Sequence, residues 1–143
     1  NLLATTQTRV PAAVLSPHPG EAARLLGVDV PSVEADRFAA AQALVERYDA
    51  VVVLKGTGSI IAAPGQVPVV IGAGNPGMGS GGMGDVLTGA IAALRAQGLD
   101  GWSAACAATL LHSAAADAAA RDGGERGMLA TDLFPFMRRL ANP

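Results

Sequence analysis

Residues 72–85 read Gly-Ala-Gly-Asn-Pro-Gly-Met-Gly-Ser-Gly-Gly-Met-Gly-Asp, and half of them are glycine. An apolar run at 67–71 precedes this stretch, and residues 86–94 follow it with helical spacing. Strand, glycine loop and helix start form an arrangement that binds anions. Glycine admits positive φ and close approach of a ligand, so successive N–H groups of the stretch can converge on one charge. The helix start adds its positive end. Asp85 falls where that helix begins. A carboxylate there either caps the helix or takes a proton from a group held in the loop. The loop is not a Walker A sequence, which needs a Lys-Ser/Thr pair after its last glycine, and no acidic residue follows at the distance a dinucleotide fingerprint requires.

Two further stretches carry reactive types. Ser16-Pro17-His18-Pro19-Gly20-Glu21 follows the short apolar run 12–15, an expected buried strand. Its prolines stiffen the loop, so His18 and Glu21 are presented just past a strand's carboxyl end, the edge where open α/β sheets bind ligands. A surface histidine and an acid favoured in a first helical turn would look the same. Residues 49–54 form the clearest strand, continuously apolar and β-branched as in a sheet covered on both faces. Lys55-Gly56-Thr57-Gly58-Ser59 ends it. Lysine, glycines and hydroxyls at that edge suit a phosphate or a nucleotide; a plain turn with a solvated lysine is the alternative. His112 and Asp117 lie on an alanine-rich helix expected over 103–121, where a lone histidine reads as structural.

The elements that must position these residues follow from pattern. Residues 1–10 suggest a short helix trailing into a loop. Residues 32–48 read as a single long helix with Ser32 as N-cap and Glu34 in its first turn. Val33, Phe38, Ala41, Leu44 and Val45 form its apolar stripe, and Arg37, Gln42, Glu46 and Arg47 face water. Residues 60–63 and 67–71 flank Pro64-Gly65-Gln66, a hairpin signal, so the sheet is not purely parallel. A helix over 85–97 ends at Gly98. A last helix, capped by Thr131 or Asp132, carries Leu133, Phe136, Met137 and Leu140. The order reads as an α/β layer fold.

Composition bounds the rest. The 143 residues suit one domain; half are hydrophobic and only 3% aromatic, so the core must be Ala, Val and Leu with close helix packing. A net charge of −2 without a basic run argues against nucleic-acid binding. The single cysteine, Cys106, cannot form an internal disulfide and reads as a small core residue. No Cys/His cluster has zinc spacing. No run approaches the ~20 apolar residues of a membrane span, and no signal-peptide pattern opens the chain, so the expected compartment is the cytoplasm. Asn1-Leu2-Leu3-Ala4 reads as the middle of an element, which suggests a longer parent protein.

Three motifs in order carry a family resemblance across essentially the whole chain. Ser16-Pro17-His18-Pro19-Gly20-Glu21-Ala22, Leu54-Lys55-Gly56-Thr57-Gly58-Ser59, and Gly74-Asn75-Pro76-Gly77-Met78 with residues 81–89 resemble the ADP- or ATP-dependent NAD(P)H-hydrate dehydratases, as does the tail 124–133. Two departures occur: Ser16 where threonine is common, and Met83 where threonine is usual. The resemblance implies a ribokinase-like three-layer α/β/α fold with a mostly parallel sheet and a β-hairpin. Residues 1–143 would be the C-terminal half of that domain, Asn1-Leu2-Leu3 matching the end of an Asp-Ala-Asp-Ala-Leu-Asn motif, with the N-terminal half absent.

It further implies repair of hydrated NADH or NADPH. A phosphoryl group passes from ADP or ATP, with Mg²⁺, to the ring hydroxyl, and phosphate elimination restores the dinucleotide. Asp85 would take the hydroxyl proton and contact the hydrate. Gly81, Gly82, Met83 and Gly84 would stabilise developing charge. Lys55, Gly56, Thr57, Gly58, Ser59 and Gly84 would contact the nucleotide, and His18 the hydrate. Glu21 would orient Mg²⁺ through water, and the family's assemblies imply a homo-oligomer, often a tetramer. The alternatives are a small-molecule kinase of the same superfamily, whose vitamin-kinase members tend to carry Asn at the His18 loop, and a nucleotide-binding fragment without turnover.

Overall fold

A computed structural model describes residues 2–6 and 8–142; Asn1, part of the amino-terminal motif, lies outside the described residues. The elements in order are α1 (Leu2–Thr6), β1 (Val14–Leu15), α2 (Pro19–Leu26), α3 (Val30–Ala35), α4 (Arg37–Tyr48), β2 (Val51–Leu54), β3 (Ser59–Ala62), β4 (Val69–Ile71), a 3₁₀ turn (Pro76–Gly79), α5 (Met83–Ala96), α6 (Gly101–Gly123) and α7 (Leu133–Leu140). The strands form one sheet in the order β1-β2-β3-β4. β1 and β2 run parallel, with Val14 beside Val51. β2–β3 and β3–β4 are antiparallel, with Val53 opposite Ile61 and Ile60 opposite Val70. The expected hairpin is present. A mostly parallel sheet is not, because within the described residues only the β1–β2 pairing is parallel.

Side chains alternate between the faces of the strands. Val52, Leu54, Ile60 and Ala62 pack with α2, α3 and α4 through Ala22, Val33, Ala41, Leu44 and Tyr48. Val51, Val53, Ile61 and Ala63 pack on the other face against Leu87 and Ile91 of α5 and Ala105 and Ala108 of α6. Helices therefore cover both faces, which is why β2 is apolar throughout. Small side chains let α6 approach closely, as the scarcity of aromatics requires. Cys106 is half-buried against the second cluster, and burial pushes its thiol pKa up, with Asp100 adding to the shift.

The helix expected over 32–48 is two helices. Asp29 caps α3, accepting from the Ser32 amide at 2.9 Å, and Asp36 caps α4, accepting from the Ala39 amide at 2.9 Å. Ser32 is thus a capped residue, not the cap. The break at Asp36, whose φ is −146°, turns α4 so that Phe38 is 52% exposed, outside the apolar stripe. It also turns Arg37 inward. The guanidinium donates to the carbonyls of Thr57 at 2.7 Å and Leu54 at 3.3 Å, so Arg37 does not face water. Gly82, not Asp85, is the N-cap of α5, and Asp100 caps α6. The Asp132 carboxylate accepts from the Leu129 amide and makes no cap bond to α7.

Candidate functional site

β1 and β2 are parallel neighbours, so their carboxyl ends emerge side by side. The Lys55 amide donates to the Pro17 carbonyl at 2.8 Å, tying the two loops that follow them. Pro19 opens α2, and His18 is its N-cap: Nδ1 accepts from the Gly20 amide at 3.0 Å and the Glu21 amide at 3.3 Å. With Nδ1 accepting, the network assigns the ring proton to Nε2. The Glu21 carboxylate completes a capping box by accepting from the His18 amide at 2.8 Å. It also lies 3.7 Å from Lys55 Nζ and 3.7 Å from His18 Nε2. Burial alone would raise its pKa, but the His18 amide and the charge of Lys55 outweigh that and hold it below the usual carboxylate value.

Lys55 also reaches the glycine loop. A Cβ built on Gly84 would stand 2.9 Å from Lys55 Nζ, so the ammonium sits against the first turn of α5. No main-chain hydrogen bond of the described residues uses the amides of Gly81, Gly82, Met83 or Gly84, and no side chain caps the helix. The same corner therefore holds a lysine, unpaired amides and a helix start, three features that favour negative charge. The other half of the glycine loop is pinned from α6. The Asp117 carboxylate accepts from the Gly74 amide at 3.0 Å and from Asn75 Nδ2 at 3.1 Å, while Asn75 Oδ1 accepts from the Gly77 amide at 3.0 Å.

These loops enclose a cavity of about 620 Å³, within the range of small-ligand sites. Of the residues singled out in the sequence, His18, Lys55, Gly56, Thr57, Gly58, Ser59, Met83 and Gly84 line it. Gly81, Gly82, Glu21 and Asp85 stand outside the lining. Asp85 is exposed, and its carboxylate has no hydrogen-bond partner among the described residues. Asp85 and Thr88, three residues apart, share a face of α5. Thr88 Oγ1 lies 3.2 Å from Ser16 Oγ at the end of β1, so Asp85 is turned toward the β1 side of the molecule.

Sequence reasoning missed several residues. Arg37 underpins the segment 55–59: a Cβ at Gly56 would meet its guanidinium at 2.7 Å, and Gly56 takes φ +152°. Asp117 anchors the glycine loop. Thr109, His112 and Ser113 all line the cavity from α6. The signal for these three was available: they are polar residues at helical spacing on a face otherwise made of Ala104, Ala105, Ala108, Ala115 and Ala116.

Fold and site define a class: an α/β protein with a glycine loop, unpaired amides at a helix start and a lysine at the carboxyl edge of its sheet. The sequence profile of the NAD(P)H-hydrate dehydratases matches residues 1–139, and the chain belongs to that family. It is 54% identical over 143 residues to the bifunctional NAD(P)H-hydrate repair enzyme Nnr of Coxiella burnetii, covering all of this chain and 29% of that protein. It is 45% identical over 130 residues to the ADP-dependent (S)-NAD(P)H-hydrate dehydratase of Neisseria meningitidis, covering 90% of this chain and 44% of that one. Among solved structures, the ADP/ATP-dependent NAD(P)H-hydrate dehydratase of Bacillus subtilis, co-crystallised with ATP/Mg²⁺, superposes with a TM-score of 0.84 at 32% identity over 90% of this chain and 46% of that one. The chain thus spans less than half the length of these relatives. No helix among the described residues is long and apolar enough to cross a membrane.

Proposed function

We propose that this chain carries the phosphoryl-handling part of an NAD(P)H-hydrate dehydratase and is the C-terminal portion of a domain about twice its length. A nucleotide, ADP or ATP, occupies the cavity with its phosphates toward Lys55 and the start of α5. The observation that carries this reading is the placement of Lys55 Nζ against Gly84, beside amides with no internal partner. Residues 55–59 follow the nucleotide along the cavity wall, held in shape by Arg37.

The hydrate lies on the β1 side, between His18 and Asp85. Asp85 accepts the proton of the ring hydroxyl as that oxygen attacks the terminal phosphorus. The bond from phosphorus to the bridging oxygen breaks, and the shortened nucleotide leaves with the electron pair. The ring nitrogen then supplies electrons to expel phosphate, leaving an iminium, and loss of a proton from the adjacent ring carbon gives the C=C bond that restores NADH or NADPH. A weakly basic carboxylate suffices because the transferring group is only loosely bonded at the transition state, so positioning and charge stabilisation do most of the work. The amides of Met83 and Gly84, with those of Gly81 and Gly82, take up charge developing on the phosphoryl oxygens. The Nε2–H of His18 donates to the hydrate.

The described residues contain no cluster of three or more His, Cys, Asp or Glu able to hold a metal. Glu21, 3.7 Å from Lys55 Nζ, nevertheless fits an ion carried on the phosphates and held through water, the usual arrangement for Mg²⁺. Such an ion would supply positive charge against that of the phosphates.

The test uses the complete polypeptide, NADPH hydrate and ADP or ATP, with NADPH recovery followed by absorbance. Asp85→Asn should lower turnover by at least a hundredfold while the Kd for MgADP stays within a few-fold. Full activity in the variant would reduce Asp85 to a first-turn acid. Transfer of phosphate to a small alcohol with no NADPH recovery would replace the dehydratase by a kinase.

A further inference from the structure

Among the described residues, the buried side-chain nitrogen and oxygen atoms without a hydrogen-bond partner are Arg37 Nε, Ser80 Oγ and His112 Nε2. The last two belong to residues that line the cavity. His112 is only 4% exposed. A buried polar atom left unpaired costs stability unless something else satisfies it. Its neighbours on α6 differ. Thr109 Oγ1 satisfies itself by donating to the Ala105 carbonyl at 2.7 Å, and the other buried positions on this stretch of α6 are Ser113 and alanines.

His112 is set apart by what surrounds it. It lies near the main chain of Met83, at the start of α5, and within electrostatic reach of Lys55. Burial lowers its pKa and the Lys55 charge adds to that, against an opposing pull from the Met83 main chain. The ring is therefore neutral at physiological pH, and its one N–H is contested between the Met83 main chain and a ligand that meets Nε2. It sits at the corner where unpaired amides and an ammonium already favour an anion.

We propose that His112 is a ligand-contacting residue whose Nε2–H donates a hydrogen bond to a phosphate oxygen of the nucleotide or dinucleotide bound in the cavity. This rests on the reading of the cavity as a phosphate site and adds a donor from α6 that the three loop motifs do not contain. The bond is charge-assisted and shielded from water, the setting in which such bonds are strongest. Ser80 Oγ, unpaired on the same lining, is a second donor for the same phosphate chain.

The experiment is ¹⁵N NMR of the complete polypeptide with labelled histidine, titrated separately with MgADP and with NADPH, alongside calorimetry of each ligand. The expected result is a shift of the His112 Nε2 resonance and slowed exchange of its proton with at least one ligand. The responsive ligand is the one that delivers the phosphate. Saturating binding of both ligands with an unmoved His112 signal overturns the proposal and leaves the ring to an internal water. If calorimetry detects neither ligand, the phosphate-site reading itself fails, and this proposal falls with it.

His112→Phe should weaken the responsive ligand roughly ten- to a hundredfold. His112→Gln, whose Nε2 can occupy nearly the same place, should recover most of that loss. Equal affinity for wild type and His112→Phe would also overturn it, and the NMR arm stands even if a variant does not fold.

Discussion

Lys55 is the residue on which the site converges, because its ammonium touches two elements at once. It stands 3.7 Å from the Glu21 carboxylate and packs against Gly84. Glu21 pairs with the ammonium, and α5 sets a helix start beside it; on the proposed reading the two share an anion. Charge-assisted hydrogen bonds contribute about 1.5–3 kcal/mol, so Lys55→Ala should weaken MgADP binding by roughly ten- to a hundredfold in calorimetry. Unchanged affinity would remove residues 55–59 from the nucleotide site. Lys55 was legible from sequence because a lysine followed by glycines and hydroxyls ends a strand whose apolar run is unmistakable. Arg37 was not. An arginine one position into a helix looks solvated, and only the fold shows that its partners are the carbonyls of Leu54 and Thr57.

At the scale of elements, the glycine loop is held from both ends by helices that differ in kind. α5 offers it unpaired amides; α6 offers it a carboxylate. Asp117→Ala would leave the Gly74 amide and Asn75 Nδ2 without their acceptor and free Asn75 to abandon Gly77. The expected outcome is faster amide hydrogen exchange over residues 74–79, together with weaker MgADP binding and little change in exchange within β2. Uniform loss of protection across the sheet would instead make Asp117 a global stabiliser.

α6 also carries a pH dependence. The folded-state pKa of His112 is lowered, chiefly by burial, so below the ordinary value of about 6.5 the unfolded chain binds the proton more readily. Stability is then full above that value and declines as pH falls through it toward the folded-state pKa. Melting temperature should drop between pH 7.5 and 5.5, and the drop should shrink in His112→Gln; an equal drop in both would assign it to other groups. The helical period and alanine content made α6 easy to read. The break at Asp36 was hidden because Ser32 is as good a cap by type as Asp29 or Asp36, and only the hydrogen bonds distinguish them.

For the molecule as a whole, the nucleotide side and the acceptor side of the site are unequally built. The cavity proposed for the phosphates is walled by His18 and Pro19, residues 55–59, the glycine loop, the start of α5 and α6, all within the described residues. Asp85 and His18 are exposed, and on the β1 side the sheet ends in a strand of two residues. The B. subtilis dehydratase chain is about twice as long, this chain matching 46% of it. Phosphoryl transfer to a chosen hydroxyl needs that hydroxyl held in line and water kept away. An acceptor resting on an open face meets neither condition. The 143-residue chain on its own should therefore bind MgADP measurably yet restore no NADPH from the hydrate, whereas the complete polypeptide should do both. The comparison is calorimetry and absorbance on matched samples, with circular dichroism to show that the shorter chain is folded. Turnover by the short chain at the rate of the long one would show that His18 and Asp85 position the acceptor unaided. Loss of nucleotide binding in a folded short chain would show that the phosphate cavity, too, is completed from outside these residues.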